Sequence, residues 1–367
     1  MLEVQEKSND RLLSLDFYRG LTMFLLIAEF SHLFTYLVSP KLKGTFIYAI
    51  GTQLHHVDWE GLHFWDLIQP FFMFIVGVAM PLSFSKRIEK GDSYKQLSKH
   101  AFKRAFLMLL LGWGLYCIEP GEIVFRFQNV LAQLSVTYIL AFLVIRKSVG
   151  IQIGFSVLLI LISEGLYRFF PIEGFNNAFV AGENFGAWFN ILISGAEDEG
   201  HWAMFNAIPT AAHTIWGVLA GQLLMGNYSA KKKLLILFGA GIIGLIIGYG
   251  LSPFIPIIKR ISTSSFVFVS GGWAFIALAF CYWLIDVRKY QKGVLFFAIV
   301  GMNPLSIYLF AHIGGADLIK TIFLPFSNAL FGWTGELGAP IILSIIVLFI
   351  LWYICYWMYK KKIFIRI

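Results

Sequence analysis

Long apolar runs recur along the chain near residues 20–38, 64–84, 105–118, 130–145, 150–167, 207–226, 234–252, 265–286, 294–312 and 340–359, separated by short polar stretches. A helix needs roughly 20 apolar residues to cross a bilayer. The pattern therefore predicts an all-α integral membrane protein, a polytopic bundle of about ten transmembrane helices forming a single domain over residues 1–367. The stretch 313–339 is expected to hold a re-entrant or interfacial helix. The first run follows the polar segment MLEVQEKSND and has no small-residue cleavage site, so it reads as a retained anchor and not as a signal peptide. No fixed-period repeat is visible, nor the inverted repeat that many transporters carry.

Composition supports the membrane reading: 58% of the residues are hydrophobic and only 14% are charged. A soluble chain carries roughly 25% charged residues, so a water-facing surface for a chain of this length is excluded. The net charge of +8 does not form one basic patch, and no nucleic-acid partner is expected. Instead, 22 of the 29 Lys and Arg fall in alternate inter-helix segments and 7 in the others. Short cytoplasmic loops retain positive charge, so both termini are expected in the cytoplasm and the protein in the inner membrane. Two long loops, 39–62 and 168–205, then lie outside. Cys117, Cys281 and Cys355 all sit in apolar runs, where cysteine acts as a small hydrophobe, and they support neither a disulfide framework nor a metal site.

Ionisable residues within or beside such runs are costly and mark function. Glu29 is ten residues beyond Arg19, about 15 Å along a helix and near the membrane midplane. The segment LHHVDWEGLHFWD, Leu54–Asp66, crowds three histidines, three carboxylates and two tryptophans at the outer start of the second run. Neutral imidazole suits proton transfer or acyl acceptance near pH 7, and a nearby carboxylate fixes its tautomer. No H-E-x-x-H or cysteine pairing is present, so no metal is expected. Asn206, Thr210 and His213 share one face of the sixth run, lining a ligand path or bonding to neighbouring helices. Asn303-Pro304 interrupts the ninth run and His312 closes it, near enough to the outer surface to approach His56. Lys86 and Arg87 open the 86–104 loop, whose seven basic residues have the charge to hold a phosphorylated molecule. No P-loop, G-x-G-x-x-G or G-x-S-x-G motif occurs.

The runs RLLSLDFYRGLTMFLLI and HVDWEGLHFWDLIQPFFMFIVGVAMPLS resemble the heparan-alpha-glucosaminide N-acetyltransferase family in its compact, bacterial-type form. The second matches a pattern H-x-x-W-x-G-x-x-x-x-D-L-x-x-P-x-F-x-F-I-x-G, from His56 and Trp59 through Asp66 and Pro70 to Gly77. IPTAAHTIWGVLAGQLL, TSSFVFVSGGWAFIALAFCYWLID and GMNPLSIYLFAH extend the likeness in order to His312. The resemblance implies transfer of an acetyl group from cytoplasmic acetyl-CoA to the amine of an extracytoplasmic amino sugar of glucosamine type. His56 would be acetyl acceptor or general base, with Asp66 and Glu29 orienting it. Trp59, His63, Asn303 and His312 fall on the acceptor side, and Arg19, Lys86, Arg87, Asn206, Thr210 and His213 on the acetyl-CoA side. Glu29 stands where the family commonly has Asn, and VLAQLSVTY replaces its usual V-L-Q-R-I segment. Two rivals remain: a membrane O-acyltransferase, suggested by Arg19-Gly20 and His32, and a sugar or amino-sugar transporter. A homo-oligomer in contact with membrane lipid is compatible with the sequence.

Overall fold

The computed structural model describes residues 12–118 and 120–365. The segment carrying Lys7 and Arg11, and Arg366 at the other end, lie outside the described residues. Within them the chain is helical and forms no strand, only an isolated bridge between Glu60 and Ile258. The first helices are α1 (Leu13–Phe30), α2 (Leu33–Leu37), α3 (Phe46–Gln53), α4 (Ile68–Glu89) and α5 (Tyr94–Ile118). Next come α6 (Val130–Val144), α7 (Val149–Arg168), α8 (Phe185–Ser194), α9 (Ala207–Met225) and α10 (Ala230–Leu251). The chain ends with α11 (Ser264–Cys281), α12 (Val294–Met302), α13 (Pro304–Phe310), α14 (Ala316–Phe331) and α15 (Gly335–Lys360). Among the described residues six helical stretches are long and apolar enough to cross a membrane, and α6 and α8 are shorter apolar helices.

Local chemistry sets several boundaries. The side chains of Thr45, Asn129 and Ser229 accept the first free backbone N–H groups of α3, α6 and α10, replacing bonds that a helix start lacks. α1 breaks at Ser31, and His32 takes a left-handed φ of 62°. This shifts the first helix towards the N-terminus of the predicted run. Glu29 consequently sits in the last turn of α1. The predicted ninth run divides at Asn303 into α12 and α13. The 313–339 stretch carries α14, whose Asp317 pairs with His32 and whose Ser327 donates to the Ala339 carbonyl of α15.

α4 runs through the centre, packed on α1, α9 and α11. Its Met73, Phe74, Ile75 and Val78 are fully buried, as are Ala211, Ile215 and Val218 of α9. The two helices approach so closely that a Cβ on Gly77 would lie 2.0 Å from the Thr214 carbonyl oxygen, and one on Gly217 2.1 Å from that of Phe74. Small residues at such contacts drive helix association where lipid removes the hydrophobic incentive. Outward faces are apolar instead of polar: Leu235, Ile243 and Ile246 of α10 are exposed, as lipid contact requires.

Candidate active site

Three loops interlock at the end of the bundle where α1 finishes and α4 begins. Gly61, at φ +127°, donates its N–H to the Ile257 carbonyl across 2.8 Å, a backbone conformation that side chains resist. Trp59 Nε1 donates to Phe179 O at 2.7 Å, and Ala203 N–H to Arg260 O at 3.0 Å. The segments around residues 55–63, 179–203 and 256–263 therefore form one plate. All three belong to the stretches that the charge distribution leaves poor in Lys and Arg.

His56 and Asp66 face each other within this plate. Asp66, 1% exposed, lies in the short turn that starts α4, where its Oδ2 accepts the His63 N–H at 2.9 Å. Its Oδ1 lies 2.7 Å from His56 Nδ1. An ionised carboxylate only accepts, so Nδ1 carries the proton and Nε2 keeps its lone pair. Trp202 meets the imidazole edge-to-face, ring centres 5.3 Å apart.

A residue that the sequence reading did not single out completes the group. Lys259, 7% exposed, brings its Nζ 3.1 Å from His56 Nδ1, 3.5 Å from Nε2 and 3.8 Å from Asp66 Oδ1. It also lies over the Trp202 ring at 5.2 Å, as does Arg260. Burial, and then the Lys259 charge, lower the His56 imidazole to about 4, against the upward pull of Asp66. Burial likewise brings the Lys259 ammonium down to about 8, opposed by the Asp66 and Glu29 carboxylates. At neutral pH the imidazole is uncharged beside a lysine that keeps its proton.

Glu29 borders the group through its Oε1, which accepts from Trp65 Nε1 at 2.9 Å. His63 turns its Nδ1 to the His55 carbonyl at 2.9 Å. His312 packs its ring against Phe30 and Tyr308, at 5.7 and 5.3 Å. Asn303 is remote from this plate: its amide donates to Ile363 O and accepts from Ile365 N–H, holding the tail after α15.

At the opposite ends of α1 and α4 a cavity of about 1060 Å³ opens. Arg19, Lys86, Arg87, Lys90, His100 and Arg104 line it, and Leu26, Phe72 and Tyr308 line it too. Arg104 Nε and His100 Nδ1 are buried there with no hydrogen-bond partner among the described residues, and the cationic side chains of the lining suit an anionic guest. Arg19, Lys86 and Arg87 thus come together. Asn206, Thr210 and His213 lie elsewhere: Asn206 donates to Arg260 O at 2.8 Å, Thr210 to Asn206 O, and His213 faces Val267 O and Ser270 on α11.

The fold and these two sites define a multi-pass helical membrane protein with a His–Asp pair at one end and a cationic cavity at the other. Residues 11–175 match the family model described as a domain of unknown function, DUF5009. Human heparan-alpha-glucosaminide N-acetyltransferase is 27% identical over 97% of this chain and 60% of its own length. The mouse protein of that name is 25% identical over 100% of this chain and 62% of its own. The chain spans about three-fifths of the length of the curated relatives it matches. Over nearly its full length the chain is thus similar to proteins of that name.

Proposed function

We propose that the protein is a transmembrane N-acetyltransferase, taking acetyl from acetyl-CoA in the cationic cavity and passing it to the amine of a glucosamine-type sugar at His56. The observation that carries this reading is the His56–Asp66 pair, whose proton placement leaves Nε2 unprotonated, with only the Lys259 ammonium near it at 3.5 Å. One route makes Nε2 the nucleophile. Its bond to the acetyl carbon forms as the C–S bond breaks, with the electron pair leaving on sulfur. The amine then attacks, the Nε2–C bond returns to a lone pair, and the amine proton passes through Nε2 to water. In the other route Nε2 takes the amine proton directly while the amine attacks the thioester. Both need a neutral imidazole.

The cavity suits the donor. Lys86, Arg87 and Arg104 meet phosphates by charge, and the apolar wall leading to Phe72 suits the pantetheine arm. From Phe72 to Asp66 is six residues of helix, roughly 10 Å, filled by Trp65 and Glu29. The cavity side is cytoplasmic by its basic loops, and the plate faces outward. His32, the counterpart expected for an O-acyltransferase, instead pairs with Asp317 at 2.9 Å on an exposed surface.

The test uses inverted membrane vesicles with labelled acetyl-CoA outside and glucosamine inside, wild type against His56→Ala. Labelled N-acetylglucosamine inside wild-type vesicles, absent with the variant, supports the reading. Equal acetylation by both overturns the role of His56. Sugar accumulation without acetylation by either makes the protein a transporter.

A further inference from the structure

We propose that Lys259 is a positioning residue of the His56 site, a buried cation that holds the imidazole uncharged with Nε2 open to an acyl group. The inference rests on the acetyl-transfer reading of His56. Paired with a carboxylate alone, an imidazole is drawn towards its charged form. An ammonium 3.1 Å from Nδ1 acts in the opposite sense. Because Nδ1 already donates to Asp66, Lys259 acts on Nδ1 by charge, and its only donor contact with the ring is the long one to Nε2 at 3.5 Å.

The position of Lys259 is built. Ser262 takes a left-handed φ of 49° and returns its N–H to the Lys259 carbonyl at 2.9 Å, which closes the turn. Gly61, Ala203 and Asn206 hold the flanking carbonyls of Ile257 and Arg260 from two other segments. A buried lysine usually requires a carboxylate, and Asp66 at 3.8 Å supplies one while serving His56 at the same time. The charged groups around the imidazole are Asp66, Lys259 and Arg260, with Glu29 adding its charge to Lys259. One carboxylate thereby balances the lysine and fixes the tautomer, and the imidazole is left as the neutral member. Any positive charge gained during acyl or proton transfer is pushed off again by the neighbouring ammonium, favouring onward transfer.

The experiment reads the protonation of His56 without relying on turnover. Full-length protein in detergent is treated with diethyl pyrocarbonate from about pH 4 to about pH 8, since only neutral imidazole reacts, and carbethoxylation of the His56 peptide is followed by mass spectrometry. Lys259→Met is expected to raise the midpoint by about 1–3 pH units, while Lys259→Arg keeps it low. The acid limb of acetyl transfer shifts in parallel. A Lys259→Met midpoint within about half a unit of wild type, or an Arg variant that behaves like Met, overturns the proposal. Should Lys259→Met not fold, Lys259→Gln takes its place under the same criteria. His56→Ala assayed alongside separates the two failures: if it retains acetyl transfer, the functional reading falls, whereas the titration still judges Lys259.

Discussion

The indole Nε1 of Trp65 donates to the Glu29 carboxylate across 2.9 Å, so the residue preceding Asp66 is tied to the last turn of α1. Trp65 packs in one apolar cluster with Leu26 and Phe72, which line the cationic cavity. Glu29→Gln keeps an acceptor for Trp65, whereas Glu29→Leu leaves a buried N–H unpaired at a cost of about 1–3 kcal/mol. Steady-state kinetics are expected to give kcat/KM within about tenfold of wild type for Gln and a larger loss for Leu. A Leu variant with wild-type kinetics would remove the bond from the mechanism.

Asp66→Asn preserves the size of the side chain and its capacity to accept from His63. It no longer fixes the His56 tautomer, and it leaves Lys259 buried without its carboxylate. Turnover is expected to fall by about 10²–10⁴-fold, the range for replacing the carboxylate behind a catalytic histidine. Stability should fall by about 3 kcal/mol, the loss for breaking a buried ion pair. Acetylation rates and thermal unfolding in detergent check the two separately.

The lowered His56 proton affinity sets a pH dependence of known sign. The folded imidazole titrates at about 4, the unfolded one at about 6.5. Between those values the unfolded chain binds more protons, so stability rises with pH through the window and falls as pH drops from 6.5 to 4. Lys259 acts in the same direction between about 8 in the folded protein and its higher unfolded value. Melting temperatures of wild type are expected to drop on acidification, and those of His56→Gln to drop less.

Lys86→Ala combined with Arg87→Ala removes two cations from the cavity. Each charge-assisted bond to phosphate contributes about 1.5–3 kcal/mol. KM for acetyl-CoA should rise by at least about tenfold and lose much of its salt dependence, with KM for the sugar unchanged. An equal rise in both constants would place the phosphates elsewhere.

Gly217→Ala sets a methyl 2.1 Å from the Phe74 carbonyl oxygen, whereas a Cβ on Gly239 meets nothing within 4 Å. The first is expected to destabilise by about 1–3 kcal/mol through overpacking. Gly239→Ala should be neutral or stabilising by up to about 1 kcal/mol through helix propensity. Paired thermal melts decide the matter.

The helices were legible because lipid imposes long apolar runs, and each predicted run overlaps a helix. The break at Ser31–His32 was not, because LLIAEFSHLF carries no Gly or Pro to announce it. His56 and Asp66 were legible as a pair since both lie within Leu54–Asp66. Lys259 was not: it is 203 residues from His56, and in a membrane protein an isolated loop lysine reads as a topology signal. The face shared by Asn206, Thr210 and His213 was legible, but helical spacing is the same for a ligand path and for a seam between helices. The structure puts His213 against α11 and Asn206 against the turn that carries Lys259.

The amide of Asn303 both donates to Ile363 and accepts from Ile365, standing in for the neighbouring strand that this tail lacks. Phe364 and Ile365, so fastened, are walls of the cationic cavity. A few residues beyond the last helix thus set part of the width of the chamber. Sequence drift there can retune what enters from this side while leaving the crossing helices untouched.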